Sequence, residues 1–395
     1  MVSQSMSNTV YERLESELGK RGADAALDLL FDELRQQKRY HELFDARLMQ
    51  ARHRLGLPVI LTERLDDLEE PLRTRLEDAY MAACREVGDL LLAESRVAEA
   101  WRYYRVVGDK SPVAAALERI EPNEENLDQL LEIALNEGVS PELGFRLVLE
   151  NYGLCNAITM FEQQLAQQPT EQLECVVTLL VDYLHKDLTA NVRAEIVGRE
   201  SVPSETVSLG ELVRERPWLF ENDNYHVDTS HLSAVVRFAR LSTKQEVLHK
   251  ALDLTEYGRR LSETYQFAGE EPFVDTYPSH ALFFAAQLGS TIEEAIDYFK
   301  EKARTLPLEE CGSGPAEVLV LLLTRLGRYR EAIDTWAELI PAGTPTTGFA
   351  PSLVEMASAS GEFRKLIEVC RERDDLLGFT AGLVEDHLAT CANKS

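Results

Sequence analysis

The chain lacks several things, and each absence narrows what it can be. No stretch approaches the ~20 consecutive apolar residues that a helix needs to cross a bilayer, and no five basic residues stand in a row. Nucleic acid is bound largely by clustered Lys and Arg that displace counterions from phosphates. Here 68 acidic residues face 41 basic ones, for a formal charge of −27. Nucleic acid and anionic membranes are therefore excluded as expected partners, and a basic protein segment is favoured. The densest basic stretch, RLMQARHR from Arg47 to Arg54, is spaced like one exposed side of a helix.

The six cysteines, Cys84, Cys155, Cys175, Cys311, Cys370 and Cys391, contain no C-x-x-C pair, which argues against a zinc ribbon or a redox dithiol. They read as small apolar side chains in a reducing compartment. The opening MVSQSMSNTVYERLE has neither a basic start nor an apolar run, so no secretory signal is expected and the protein is placed in the cytoplasm. G-x-S-x-G, Walker and G-x-G-x-x-G patterns are missing. Strict alternation of apolar and polar residues is almost absent, which removes the main signal for strands.

What remains is helical periodicity. In ADAALDLLFDEL (23–34) the residues Ala26, Leu27, Leu30, Phe31 and Leu34 form one stripe, and Leu130, Leu131, Ala134 and Leu135 form another. VLVLLL (318–323) is apolar nearly all round, predicting a helix buried on most sides. Breakers such as Gly56 with Pro58, Gly138 with Pro141, and Gly269 with Pro272 punctuate the chain regularly. The pattern predicts an all-α fold of antiparallel helix pairs.

A motif recurs along those pairs. In LTRLGRYREAIDTW (323–336) a small residue at the turn, Gly327, precedes Tyr329, Ala332, Ile333 and Trp336. The glycine permits the turn, the alanine lets helices approach, and the aromatics fill space against neighbours. MASASGEFRKLIEVC repeats it with Gly361, Phe363, Leu366 and Cys370, and Ala332 and Leu366 are 34 residues apart. LLAESRVAEAWRYY repeats it with Ser95, Val97, Ala100 and Trp101. Looser copies sit at Tyr40–Leu43, at Leu154–Ala157, and at Gly289–Ala295, the last with one extra residue after the glycine.

These residues resemble the tetratricopeptide repeat family, best after residue 279. The resemblance implies a right-handed, TPR-like alpha-solenoid. Before residue 200 the copies at 43, 100 and 157 are 57 residues apart, so the solenoid is expected to be irregular there. Residues 1–200 are read as an irregular helical-repeat half and 231–395 as a TPR-like half. Between them, 201–230 is polar and breaker-rich and reads as a linker.

That linker ends in YHVDTSHL, with His226, Asp228 and His231; a similar stretch, VDTYPSHAL, holds Asp275 and His280. Four of the eight histidines fall between 226 and 280. Imidazoles with carboxylates are ligands for a divalent metal, which makes a metal-dependent enzyme or metal-binding protein the alternative reading. The plainer reading is helix capping by Asp228, Thr229, Ser230, Thr276 and Ser279, and H-x-D-x-x-H does not match a helical two-histidine motif. CGSGP (311–315) reads as a turn before a helix, and carboxylate pairs such as Asp66–Asp67 and Glu69–Glu70 read as solvated faces.

In the resembled family the first helix of each pair lines a concave face. Alignment on the turn residues would place Arg237, Arg240, His280, Phe283, Gln287, Glu317, Leu321 and Arg325 there. The Asn and Lys set by which some members grip an acidic peptide end is absent. The expectation is a non-enzymatic scaffold holding a protein or peptide segment in a groove, with no cofactor.

Overall fold

The computed structural model describes residues 2–60, 68–165 and 170–392, so Asp66 and Asp67 lie outside the described residues. The described residues are helical with no strand, and consecutive helices pack as neighbouring pairs. The chain divides into two compact units, Met1–Asn151 and Tyr152–Ser395.

The first unit contains α1 (Val2–Arg21), α2 (Ala23–Gln36), α3 (Tyr40–Arg54), α4 (Leu72–Ala93), α5 (Val97–Val107), α6 (Ser111–Leu117), α7 (Leu127–Leu131) and the start of α8 (Pro141–Met160). A π-helical turn, Glu132–Asn136, extends α7. Phe31, Leu34, Tyr40, Leu43, Val87, Leu91 and Ala100 form one core cluster across α2 to α5. Trp101, Tyr104, Val113, Leu117, Leu130 and Ile133 form a second. The arginines of 47–54 do not share one exposed side. Arg47 lies over the Phe31 ring and bonds Glu86 at 2.7 Å, while Arg52 is buried and donates to the Pro58 carbonyl at 2.6 Å. Their long apolar stems cover core surface while the heads find acceptors, which spacing alone does not reveal.

In the second unit the helices are α9 (Thr170–Val197), α10 (Leu209–Arg214), α11 (Thr229–Ala239), α12 (Gln245–Gly258), α13 (Thr276–Gln287), α14 (Ile292–Thr305), α15 (Leu308–Cys311), α16 (Gly314–Arg325), α17 (Tyr329–Leu339), α18 (Leu353–Ser360), α19 (Phe363–Glu372) and α20 (Leu376–Ala392). The segment 201–230 lies inside this unit. Arg193 of α9 clasps it by donating to the carbonyls of Ser204, at 3.2 Å, and Val207, at 2.7 Å. The pairs α11/α12, α13/α14, α16/α17 and α18/α19 follow one another, and α20 packs on α18 and α19. Ion pairs join second helices of successive pairs: Arg304 with Glu338 at 2.7 Å, and Lys365 with Asp334 at 2.7 Å. Val318 to Leu323 are all buried in α16.

The recurring motif has a recurring geometry. Lys38, Ser95, Gly289 and Gly327 each sit at a left-handed turn, with φ of 55°, 59°, 86° and 74°. At each, the next residue's N–H reaches back over the turn: Arg39 to Leu34 O, Arg96 to Leu91 O, Ser290 to Ala285 O and Arg328 to Leu323 O, at 2.8–2.9 Å. This pairing satisfies carbonyls that a helix end otherwise leaves open. In three copies the residue after the turn is an arginine that clasps a glutamate three positions on. Nε meets the carboxylate at 2.6 Å for Arg39–Glu42, and at 2.7 Å for both Arg96–Glu99 and Arg328–Glu331. The clasp places an acid in the first turn of the second helix, where the helix dipole favours negative charge.

Candidate functional site

Within the second unit, residues from α11, α13 and α16, the first helices of three successive pairs, border one cavity of about 530 Å³. Ser230, Ser233 and Arg237 enter it from α11 at helical spacing, so one stripe of that helix faces inward, and Arg240 follows from the residue that ends the helix. His280 comes from α13 and Val318 from α16, while the loops 267–273 and 347–349 supply Phe273 and Phe349.

The loops are held by specific bonds. Gly269 donates to Val274 O at 3.0 Å, and Phe273 N donates to Glu270 O at 2.7 Å. A Cβ at Gly269 would lie 2.2 Å from the Phe273 carbonyl oxygen, so only glycine allows that backbone approach. On the other side Glu317 is fully buried and accepts four bonds: from Ser313 Oγ at 2.6 Å, Thr347 N at 2.7 Å, Thr347 Oγ1 at 2.8 Å and Phe349 N at 3.0 Å. Burial alone would raise its pKa, but these donors together outweigh burial and hold the carboxyl below its ordinary range.

Arg325 performs the matching task at the helix ends. It donates to the Arg240 carbonyl at 2.7 Å, to the Ser242 carbonyl at 3.3 Å and to Gln287 Oε1 at 3.0 Å. One guanidinium from α16 thus neutralises the C-terminal end of α11 and fixes the end of α13 beside it. Burial pushes its pKa down to about 10, so it remains charged.

Arg240 has a different environment. Its Nε donates to Arg237 O at 2.9 Å, and its guanidinium carbon lies 4.7 Å from the Phe273 ring centre and 5.0 Å from that of Phe349. No carboxylate among the described residues forms an ion pair with it; Glu270, exposed at the edge, acts on it only at a distance. Burial and the neighbouring Arg237 push its pKa down to about 10. Arg237 is paired with Glu162 at 3.1 Å. His280 is fully buried and stacks on Phe273 with ring centres 4.2 Å apart. Its Nδ1 faces the Thr276 carbonyl, and its Nε2 has no hydrogen-bond partner among the described residues. Burial, reinforced by the Arg240 charge, drops its pKa to about 3, so the ring is neutral.

Of the residues expected in a groove, the structure therefore brings Arg237, Arg240 and His280 to the cavity. Phe283 is 1% exposed and packs edge-on against Phe273 and Phe299. Gln287, Glu317 and Arg325 hold helix ends and a loop. Leu321 is buried in α16. The aromatic walls, Phe273 and Phe349, were not singled out by the sequence reading, because both sit in irregular segments with no periodicity to mark a face.

The residues of the metal reading occupy separate environments. His226 bonds Glu195 Oε2 at 2.8 Å and Tyr257 OH at 3.0 Å. Asp228 caps α11, accepting from Ser230 N at 2.9 Å and His231 N at 3.3 Å. Asp275 precedes α13 without a side-chain cap; its carbonyl instead accepts from Ser279. Among the described residues no group of three or more His, Cys, Asp or Glu side chains is placed to hold a metal ion.

A larger depression, of about 630 Å³, lies between α12, α13 and α14, and ion pairs tie up part of its charge. Glu256 gathers Arg214 at 3.5 Å, Arg259 at 3.7 Å and Arg260. The Arg240 cavity is lined by a guanidinium without an ion pair and by His280, whose Nε2 has no partner among the described residues. No family model, no curated protein and no solved structure matches the chain.

Proposed function

We propose that the chain is a non-enzymatic scaffold of the TPR-like kind, a right-handed solenoid of helix pairs that holds a protein or peptide segment along the face of its first helices. The observation that carries this reading is the repeated turn itself: the same left-handed residue, the same back-reaching hydrogen bond and, in three copies, the same arginine–glutamate clasp. Stacked repeats of one unit offer an extended surface rather than a single reactive centre. The excess of 68 acids over 41 bases favours a segment with basic character. Free cysteines, two of them buried, support a cytoplasmic setting.

A photo-crosslinking residue placed at Phe267, which is 45% exposed at the edge of the first-helix face, tests the reading. The expected result is a protein adduct mapping to one segment. A synthetic peptide of that segment should bind the purified chain, and more weakly to Glu270→Lys. Adducts absent from native extract, or a peptide whose binding ignores Glu270→Lys, would remove the support for a docking face here.

A further inference from the structure

Two groups at the Arg240 cavity are chemically incomplete, and they are complementary. The Arg240 guanidinium is half-buried and stacked against Phe273 and Phe349 without a carboxylate partner. A charge partly withdrawn from water gains from an anion placed against it. Arg237 adds no further free charge, because Glu162 offsets it. Of the cavity's two carboxylates, Glu271 is held by Lys302 at 3.0 Å and Glu270 acts on Arg240 only from the exposed edge, so Arg240 can still take an anion in direct contact.

His280 supplies the second requirement. A carbonyl only accepts, so the bond to Thr276 O places the ring proton on Nδ1. Nε2 is then a lone-pair acceptor, buried and without a donor among the described residues. An orphan acceptor of this kind calls for an N–H or O–H. Both residues line the same cavity, which is what lets one small ligand address both.

We propose that this cavity binds a small organic monocarboxylate bearing a hydroxyl or N–H next to its carboxylate. The carboxylate meets the Arg240 guanidinium, the neighbouring donor meets His280 Nε2, and the apolar body lies against Phe349. A carboxylate matches the planar fork of arginine and brings the single charge that Arg240 lacks. The volume of about 530 Å³ falls within the range of small-molecule sites and accommodates an aromatic acid. This site does not depend on the scaffold role: a variant that loses the acid and still takes up the crosslinked segment separates the two.

Calorimetric titration of the full chain at about pH 7, where carboxylates are charged, tests it with three probes. Mandelate carries carboxylate and hydroxyl, phenylacetate lacks the hydroxyl, and mandelamide lacks the charge. Mandelate is expected to bind one per chain, with phenylacetate and mandelamide each about tenfold weaker or worse. Arg240→Leu should weaken mandelate by at least about tenfold. His280→Phe should bring mandelate down to the level of phenylacetate while leaving phenylacetate itself unchanged, a pattern that mere loosening of the fold would not give. If Arg240→Leu does not fold, as judged by circular dichroism, the ranking of the three probes on the unaltered chain decides. Failure of mandelate to bind, equal binding of all three, or mandelate binding indifferent to Arg240→Leu in a folded variant would each overturn the proposal.

Discussion

His226 and Glu195 meet at 2.8 Å from Nε2 to Oε2 although 31 residues separate them. The backbone N–H of His226 donates to the Tyr257 hydroxyl at 2.8 Å, leaving that hydroxyl free to donate to Nδ1 at 3.0 Å. The ring is thereby fixed with its proton on Nε2, directed at the carboxylate. Asn224 also donates to Glu195, at 2.9 Å, so the loop before α11 is fastened to α9 and α12 by one connected network. Replacing His226 by Leu takes the imidazole N–H from Glu195 and leaves the proton of the Tyr257 hydroxyl without its acceptor. The expected cost is about 2–4 kcal/mol, measured by urea unfolding. A loss under about 0.5 kcal/mol, the range of ordinary surface changes, would show the network to be incidental.

The same histidine, with His280, sets a pH dependence. Burial holds both below the ordinary histidine pKa of 6.5, for His226 despite the pull of Glu195, for His280 with help from Arg240 and Arg237. A folded-state pKa lower than the unfolded one means that the unfolded chain binds more protons between the two values. Stability from these groups is therefore complete above about pH 6.5 and declines as pH falls toward the folded values, about 3 for His280. Each contributes at most about 1.4 kcal/mol per pH unit. Between about pH 7 and pH 5 most carboxylates stay charged, which isolates the histidines. Unfolding free energies at those two pH values should fall less steeply in His280→Phe than in the unaltered chain. Equal slopes would contradict the burial argument.

Glu317 ties the 345–349 loop to α16 through four donors. Glu317→Gln keeps the shape but replaces an oxygen that accepts from Thr347 and Phe349 with a donor or swaps the one facing Ser313. A destabilisation of about 2–4 kcal/mol is expected. It should appear as faster amide exchange at Thr347 and Phe349, with little change in α19. Unchanged exchange in the loop would show that other contacts hold it.

How much of this was legible beforehand differs by element. Helices with a one-sided stripe, such as Ala23–Gln36, or with a continuous apolar run, such as Gly314–Arg325, announce themselves because periodicity and burial say the same thing. Helix pairing was legible from the turn residue and the alanine behind it. The roles of Glu317 and Arg325 were not, because a charge on a predicted face reads equally as solvent-exposed or as a buried clamp. The difference lies in which backbone groups from distant loops arrive beside it. Arg240 and His280 drew notice as residue types, but their lack of partners depends on the placement of Phe273 and Phe349, which no local pattern encodes.

Close helix approach yields a further test. A Cβ at Gly258 would sit 2.3 Å from the Tyr277 ring, and one at Gly88 would sit 2.6 Å from Tyr104. Both rings are buried, and the Tyr104 hydroxyl is tied to Asp89. Gly258 lies in α12, where alanine would otherwise be preferred by up to about 1 kcal/mol. The clash outweighs that preference, since Tyr277 is enclosed and cannot swing away. Gly258→Ala is expected to destabilise by about 1–3 kcal/mol, read as a lowered melting temperature. An increase in melting temperature would mean that the ring relocates at no cost.

The recurring turn makes the last prediction, and it has opposite signs in different copies. Ser95 holds φ of 59° and Lys38 holds 55°, where an L side chain crowds its own carbonyl, whereas Gly327 holds 74° with no such crowding. Nothing lies within 4 Å of a Cβ built at Gly327, so any cost of Gly327→Ala comes from the backbone alone. That cost is about 1–2 kcal/mol. By the same reasoning Ser95→Gly relieves strain and should stabilise, less the entropy that glycine adds to the unfolded chain, leaving a gain of about 0.5 kcal/mol. The pair of measurements separates conformational strain from packing, because neither substitution changes a core contact. Destabilisation by Ser95→Gly of the size seen for Gly327→Ala would show that the two turns are not equivalent, and with them the repeat.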